Sequence, residues 1–341
     1  MLKSESPIIA VVTRPTRLQG LMRHRATLGM AKFSLTRVRE HEVARKRRTA
    51  EEKGEVLADV MSLEQVAAAA GGFEEYEQED RAYAATLAKL RSDLEIGYPL
   101  IFVDRDFLPN FDFGRCIVVV VVGQDGLVAN AAKYVGDAPV IGVNPDPKRY
   151  DGILLPFLTE EARPAVQRVI AERFHTRPVT MAEVNLNDGQ RMLAFNDFFV
   201  GCRSHVSARY TLTVGRKAEP QSSSGIIIST GAGSTGWLSS LFNMTHGFAN
   251  WLGGGTKSPP KMNWEDRRLA WVVREPFVSR HSKATLVAGW LEEGDEITIE
   301  SLVPDSGVVF SDGIEKDALE FNSGTIARIK VSQQVAQLVV G

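Results

Sequence analysis

The stretch Cys116 to Val135, CIVVVVVGQDGLVANAAKYV, limits the possible fold more than any other. Ile117 to Val122 is an unbroken apolar run, nearly all β-branched, which predicts a strand buried on both faces in a parallel sheet. Gly123-Gln124-Asp125-Gly126 then breaks the run, and Val128, Ala131, Ala132 and Val135 recur at helical spacing. The predicted order is strand, tight glycine turn, helix. In open α/β sheets such a turn lies at the carboxyl ends of the strands, where ligands bind. It carries one carboxylate, Asp125, between Gly123 and Gly126, which let a ligand approach the backbone. The free N–H groups at the helix start suit a phosphate. The pattern points to Asp125 acting on a phosphorylated nucleotide. An ordinary connection using Gly and Asp as turn formers has the same sequence; a second glycine turn downstream favours the first reading.

The flanking segments extend the same architecture. Ile8 to Val12 predicts a first strand, leaving through Thr13-Arg14-Pro15-Thr16-Arg17. Arg14 and Arg17 then share the sheet edge with Asp125 and are candidates to meet phosphates; solvated charges at a helix start are the alternative. Leu18 to Arg48 is basic and reads as helical. Arg45-Lys46-Arg47-Arg48 could suggest nucleic acid, but Glu51, Glu52 and Glu55 follow, which favours a solvated helical face. Residues 51–94 read as helical with a break at Gly71-Gly72, and Leu87, Leu90 and Leu94 form a core-facing stripe. Tyr98 to Val103 reads as extended. Pro139 to Asn144 predicts another strand, with Asn144 at its carboxyl end, and Glu160 to Phe174 a helix. This alternation predicts an α/β domain with a parallel sheet over residues 1–175.

The pattern then changes. Arg191 to Val200, Ser207 to Val214, Gly225 to Thr230, Lys283 to Ala288, Glu296 to Glu300, Val308 to Phe310 and Thr325 to Val331 read as short strands separated by turns. They predict a β-rich domain over residues 176–341. Trp237 to Glu275 reads as a helical insert, with a loop at Gly253 to Pro260.

A length of 341 residues suits two domains. The net charge of -2 gives no bulk preference for nucleic acid or acidic membrane. Two cysteines make no disulfide framework and point to a reducing, cytoplasmic setting. No apolar run approaches the roughly 20 residues that span a bilayer, and the run near the N-terminus is too short for a signal peptide.

The second glycine turn joins Ile226-Ile227-Ile228-Ser229-Thr230 to Gly231-Ala232-Gly233-Ser234-Thr235-Gly236-Trp237. Again a strand feeds a turn that opens a helix. The hydroxyls of Thr230, Ser234 and Thr235 suit a ribose, a base edge or phosphates. Between the two turns, Asn196 and Asp197 stand as a polar pair inside a strand, needing partners if buried. A ligand with hydroxyls and an amide would supply them.

These three pieces together resemble the NAD kinase family, whose members carry a G-G-D-G-T turn, an Asn-Glu pair and a T-P-T-G-S-T-A-Y turn in this order. The mitochondrial-type branch looks most similar, through Val11-Val12-Thr13, Pro139 to Pro147, Ser223 to Trp237, Arg274-Glu275-Pro276 and Leu319 to Ala327. The resemblance implies an α/β domain followed by a β-rich dinucleotide-binding domain. It implies that Asp125 is the base for the 2′-hydroxyl of the adenosine ribose of NAD, with ATP as donor and Mg²⁺ or another divalent cation as cofactor. Gly123, Gly126, Asn196, Asp197, Thr235, Trp237 and Ser240 are the implied substrate-binding positions; Asn144, at its strand's carboxyl end, and Thr230 and Ser234, in the hydroxyl-rich turn, complete the expected set. The expected partners are NAD and ATP, with no nucleic acid or membrane, in a homodimer or higher homo-oligomer. The chain departs from the pattern at Gln124 and Leu127, where the family has Gly and Thr, and at Asp197, one methylene shorter than Glu. These departures keep two alternatives open: an NAD(P)-binding pseudokinase, and a kinase of another hydroxylated substrate.

Overall fold

The computed structural model describes residues 6–23, 27, 29–30, 32–33, 73–255, 258–259 and 261–341. Arg45 to Arg48, the acidic residues after them and the Gly71-Gly72 break lie outside the described residues. The first half contains β1 (Ile8–Thr13), α1 (Arg17–Arg23), α2 (Phe73–Asp93), β2 (Leu100–Asp104), β3 (Cys116–Val122), α3 (Asp125–Ala132), β4 (Val140–Asn144), β5 (Phe157–Leu158) and α4 (Ala162–Ile170). Strands β5, β4, β3, β1 and β2 lie side by side, all parallel.

The apolar run in β3 is buried on both faces, as its composition demands. Val118, Val120 and Val122 pack with Ile9, Val11, Ile141 and Val143 against Tyr83 and Leu90 of α2 and Val166 and Val169 of α4. Val119 and Val121 pack with Ala10 and Val12 against Val128, Ala131 and Ala132 of α3. Period-two alternation sends neighbouring valines to opposite helical layers. Each such side chain contributes about 1.5–3 kcal/mol by burial, so the strand holds the glycine turn on a rigid base.

The second half contains β6 (Thr176–Leu186), β7 (Arg191–Ala194), β8 (Asp197–Cys202), β9 (Ala208–Val214), β10 (Lys217–Ser223), β11 (Ile226–Ser229), α5 (Trp237–Trp251), β12 (Arg268–Val273), β13 (Ala288–Glu292), β14 (Glu296–Ser301), β15 (Gly307–Ser311), β16 (Ile314–Glu320) and β17 (Ile326–Val339). One antiparallel sheet has the order β13-β12-β11-β8-β15-β16. The other strands continue the first sheet in the order β10-β9-β14-β17-β4-β3-β1-β2, with β6 beside β17 and β7. The join is β17. It pairs along β6, shifts register between Val331 and Val335, and places Leu338 parallel to Val140 of β4. The inner faces of the two sheets share a core of Val184, Phe198, Tyr210, Ile228, Trp271 and Ile329, among others. No helix among the described residues is long and apolar enough to cross a membrane.

Several elements differ from the sequence reading. The expected strand over 191–200 is two strands, β7 and β8, bent at Phe195-Asn196. The expected helical insert over 237–275 is helical only to Trp251; Gly253 follows with φ of 75°. Residues 268–273 form β12, because Leu269, Trp271 and Val273 alternate into the inter-sheet core. The strand expected over 283–288 begins only at Ala288; ahead of it, the N–H groups of Thr285 and Leu286 donate to Glu219 instead. Strands β6, β10 and β16 are additional to the sequence reading, since their polar residues mask the alternation.

Candidate active site

The parallel strands deliver three exits to one edge. Val12 lies opposite Val121, and Val122 opposite Val143, so Arg14, Gly123-Gln124-Asp125 and Asn144 emerge together. The Gly123 N–H donates to the Val143 carbonyl at 3.3 Å. Asp125 is the first residue of α3, and Gln124 precedes it without a side-chain cap. One Asp125 oxygen accepts the Leu154 N–H at 2.6 Å. That contact depends on Gly142 in β4, where a Cβ would lie 2.0 Å from the Leu154 carbonyl oxygen. Around Gly126 there is open space.

At this edge the arginines are already engaged. Arg14 donates from Nη2 to Glu79 at 2.9 Å and to the Tyr150 hydroxyl at 2.9 Å. Arg17 also pairs with Glu79 and lies over the Tyr76 ring, 4.5 Å from its centroid. The Tyr83 hydroxyl accepts from the Arg14 N–H and donates to the Val122 carbonyl, tying β1 to β3. Burial pushes Tyr83 up to about 12, which keeps that hydroxyl a donor at neutral pH.

The second turn is built against the Phe195–Asp197 bend. Thr230 donates its hydroxyl to the Phe195 carbonyl at 2.6 Å, and its N–H to the Asn196 carbonyl at 2.9 Å. A Cβ on Gly233 would sit 2.1 Å from the Asn196 carbonyl oxygen. On the other side, Asp312 accepts the N–H groups of Phe195, Asn196 and Asp197 at 3.2, 2.6 and 3.3 Å. The side chains of Asn196 and Asp197 make no hydrogen bond among the described residues. Leu127 and Val128 of the first turn's helix share an apolar cluster with Phe195 and Ala232, which brings both turns and the bend to one region.

No family model matches the chain. Over 145 residues it is 32% identical to an NAD kinase of Geotalea daltonii, covering 39% of this chain and 47% of that protein. The chain thus spans about half the length of that curated relative. Yeast NADH kinase complexed with NADH superposes with a TM-score of 0.53 over 99% of this chain and 84% of its own, at 15% identity. An NAD kinase from Archaeoglobus fulgidus in complex with ATP superposes with a TM-score of 0.50 over 76% and 89%, at 19% identity. This chain has the NAD kinase fold. The resemblance to NAD kinases thus has support from a relative in sequence and from the architecture.

Within the NAD kinase fold, the candidate residues fall into two groups. Asp125, Gly126, Asn196 and Thr235 leave side chains or space open to a ligand, and the buried Asp197 carboxyl makes no hydrogen bond among the described residues. The others are at least partly used by the protein. Asn144 is buried, donating to the Tyr150 carbonyl and accepting the Asp146 N–H, so it shapes its own loop. Thr230 is fully buried in the bend. Ser234 donates to the Gly231 carbonyl at 2.7 Å and Ser240 to the Gly236 carbonyl at 3.4 Å. A Cβ on Gly123 would meet Leu127 at 3.1 Å and Arg14 at 3.4 Å. Trp237 stacks on Phe199, with centroids 5.6 Å apart and 12° between planes, under the Arg274 guanidinium. It lines a cavity of ≈ 310 Å³ with Arg203, His205, Ser224 and Glu315.

The electrostatics single out Asp197. Burial, with the nearby Asp312 carboxylate, pushes it up to about 7. Burial also raises Asp312, against Lys133 and the three N–H groups it accepts. Sequence reasoning missed Glu79, Tyr150, Lys133 and Asp312. Glu79 had one signal: it shares a buried helical stripe with Tyr83, Thr86 and Leu90. Asp312-Gly313 had another, as an Asp-Gly pair between two strands.

Proposed function

We propose that this chain is an NAD kinase, transferring the terminal phosphoryl group of ATP to the 2′-hydroxyl of the adenosine ribose of NAD. One observation carries the reading. The Phe195–Asp197 bend has its backbone groups satisfied by Thr230 and Asp312, while the Asn196 and Asp197 side chains remain without protein partners among the described residues. Such groups await a polar ligand, in the region where Asp125 opens a helix. The ribose hydroxyl gives its proton to Asp125 as its oxygen attacks phosphorus, and ADP leaves. Phosphoryl transfer asks a protein mainly for positioning and charge stabilisation, and the α3 N-terminus and turn amides offer both. The fold shared with an NADH-complexed and an ATP-complexed kinase supports this assignment of substrates.

No group of three or more His, Cys, Asp or Glu among the described residues is arranged around a metal ion. Mg²⁺ that enters with ATP needs no such cage, being held by phosphates, water and one or two carboxylates. Were Asp125 an indirect anchor for that ion rather than the base, the oxygen not taken by Leu154 would be the one that serves. The reading includes a homo-oligomer, in keeping with the exposed Met244, Phe248 and Trp251 on α5.

The test is NADP(H) formation by the purified chain, offered NAD or NADH with ATP, other nucleoside triphosphates or polyphosphate, and Mg²⁺. Turnover with NAD and ATP is expected. Dinucleotide binding without turnover on any donor would make the chain a pseudokinase instead.

A further inference from the structure

Asp312 lies in the two-residue turn between β15 and β16, with φ of 54°, followed by Gly313 at 69°. Its side chain is 2% exposed. A buried carboxylate needs hydrogen bonds and a counter-charge, and this one has both. It accepts three consecutive N–H groups, those of Phe195, Asn196 and Asp197. Its own N–H donates back to the Asp197 carbonyl at 2.9 Å. Lys133 Nζ lies 3.7 Å from its carboxylate and 3.7 Å from that of Asp317, and donates to Ser311 at 2.8 Å, with its side chain also 2% exposed. Lys133 directly follows α3, the helix that Asp125 begins. One buried ion pair therefore connects the helix of the first turn to the bend of the Asn-Asp pair.

Backbone hydrogen bonds make the arrangement specific. Thr230 takes the carbonyls of Phe195 and Asn196, and Asp312 takes their N–H groups. Those groups are thereby withdrawn from strand pairing, so the chain is held bent at Phe195-Asn196. A straight strand through 191–200 would turn Asn196 and Asp197 to opposite faces of a sheet.

We infer that Asp312 is a positioning residue of the dinucleotide site, fixing through its carboxylate the backbone that presents Asn196 and Asp197, with Lys133 as its counter-ion. The inference rests on the NAD kinase reading. Asp312 reaches the ligand only through the bend, so its loss weakens dinucleotide binding and leaves the donor site alone.

The test compares wild type, Asp312→Asn and Asp312→Asn/Lys133→Met as full-length proteins. NAD affinity is measured by calorimetry, KM and kcat are measured for NAD and ATP, and melting temperature is recorded. Asp312→Asn is expected to raise the dissociation constant and KM for NAD about tenfold or more, with the KM for ATP and kcat near wild type. Loss of uniform substrate binding gives that split. The double variant removes the lysine charge, which in Asp312→Asn still faces Asp317 at 3.7 Å, and should not recover NAD affinity. It also carries the test if the single variant does not fold. Wild-type NAD affinity in a folded Asp312→Asn protein, or recovery of affinity together with melting temperature in the double variant, overturns the inference. A wild type that binds no dinucleotide removes the functional reading, and this inference with it.

Discussion

Arg14 Nη2 stands 2.9 Å from Glu79 Oε1, with both side chains buried. Arg17 pairs with the other oxygen of the same carboxylate. Two arginines at the ligand edge thus share one acid, and the cluster keeps a single net positive charge. This changes the role of both arginines. They are first a clamp joining the β1 exit to α2, and only then a source of field for phosphates.

Glu79→Gln should be strongly destabilising, because it leaves Arg14 buried without a counter-charge. Breaking a buried pair typically costs about 3–5 kcal/mol. Burial raises the Glu79 carboxyl, but bonds from Arg17, Arg14 and Tyr150 outweigh it and hold the group below its ordinary 4.5. Its contribution is therefore full above that value and lost as pH falls through the folded-state value. Denaturant unfolding at pH 7 and in acid checks this: the loss on substitution should be large at pH 7 and shrink in acid. Equal stability of the two proteins at pH 7 would refute the clamp.

Asp125→Asn should lower turnover about 10²–10⁴-fold, the usual contribution of a general base. NAD affinity should survive, because an Asn oxygen can still accept the Leu154 N–H and keep the turn intact. Steady-state kinetics with calorimetry decide it; a fully active variant removes Asp125 from the chemistry.

Asp197→Asn should shift the pH dependence of stability. The folded-state value near 7 lies above the ordinary 3.8, so the folded protein holds the extra proton. Stability of the wild type falls as pH rises from about 4 to 7 on account of this group, by at most about 1.4 kcal/mol for each pH unit crossed. The variant should therefore gain more melting temperature at pH 8 than at pH 5, and a pH-independent gain would contradict the assignment. Asn196→Ala and Asp197→Ala should each weaken NAD binding more than ATP binding, as read by calorimetry.

Gln124 and Leu127 separate on inspection of the turn. Gln124 precedes α3 without capping it. Glycine is well accepted before a helix, so Gln124→Gly should keep or raise turnover and widen donor choice. Leu127 is buried in the cluster under the turn. Leu127→Thr should cost about 1–3 kcal/mol by lost packing and gain no activity. NADP formation across a donor panel, with melting temperatures, tests both; a gain from Leu127→Thr would show that its hydroxyl reaches the donor.

The local sequence determined the elements that report on themselves. A β-branched run must be buried on both faces, and Gly-Gln-Asp-Gly after it must turn, so β3, Asp125 and α3 were legible at once. The motif spacing also held the order of the two glycine turns and the Asn-Asp pair. What the tertiary structure decided is where the polar groups spend their hydrogen bonds. Asn144, Thr230 and Arg14 look available in sequence, yet the fold commits them to a loop, a bend and Glu79. Lys133 carries no motif and Asp312 only that of a hairpin turn, yet Asp312 holds the bend from 115 residues away along the chain, with Lys133 buried beside it. A buried charge must find its partner wherever the fold brings one, and no local pattern records which partner that is.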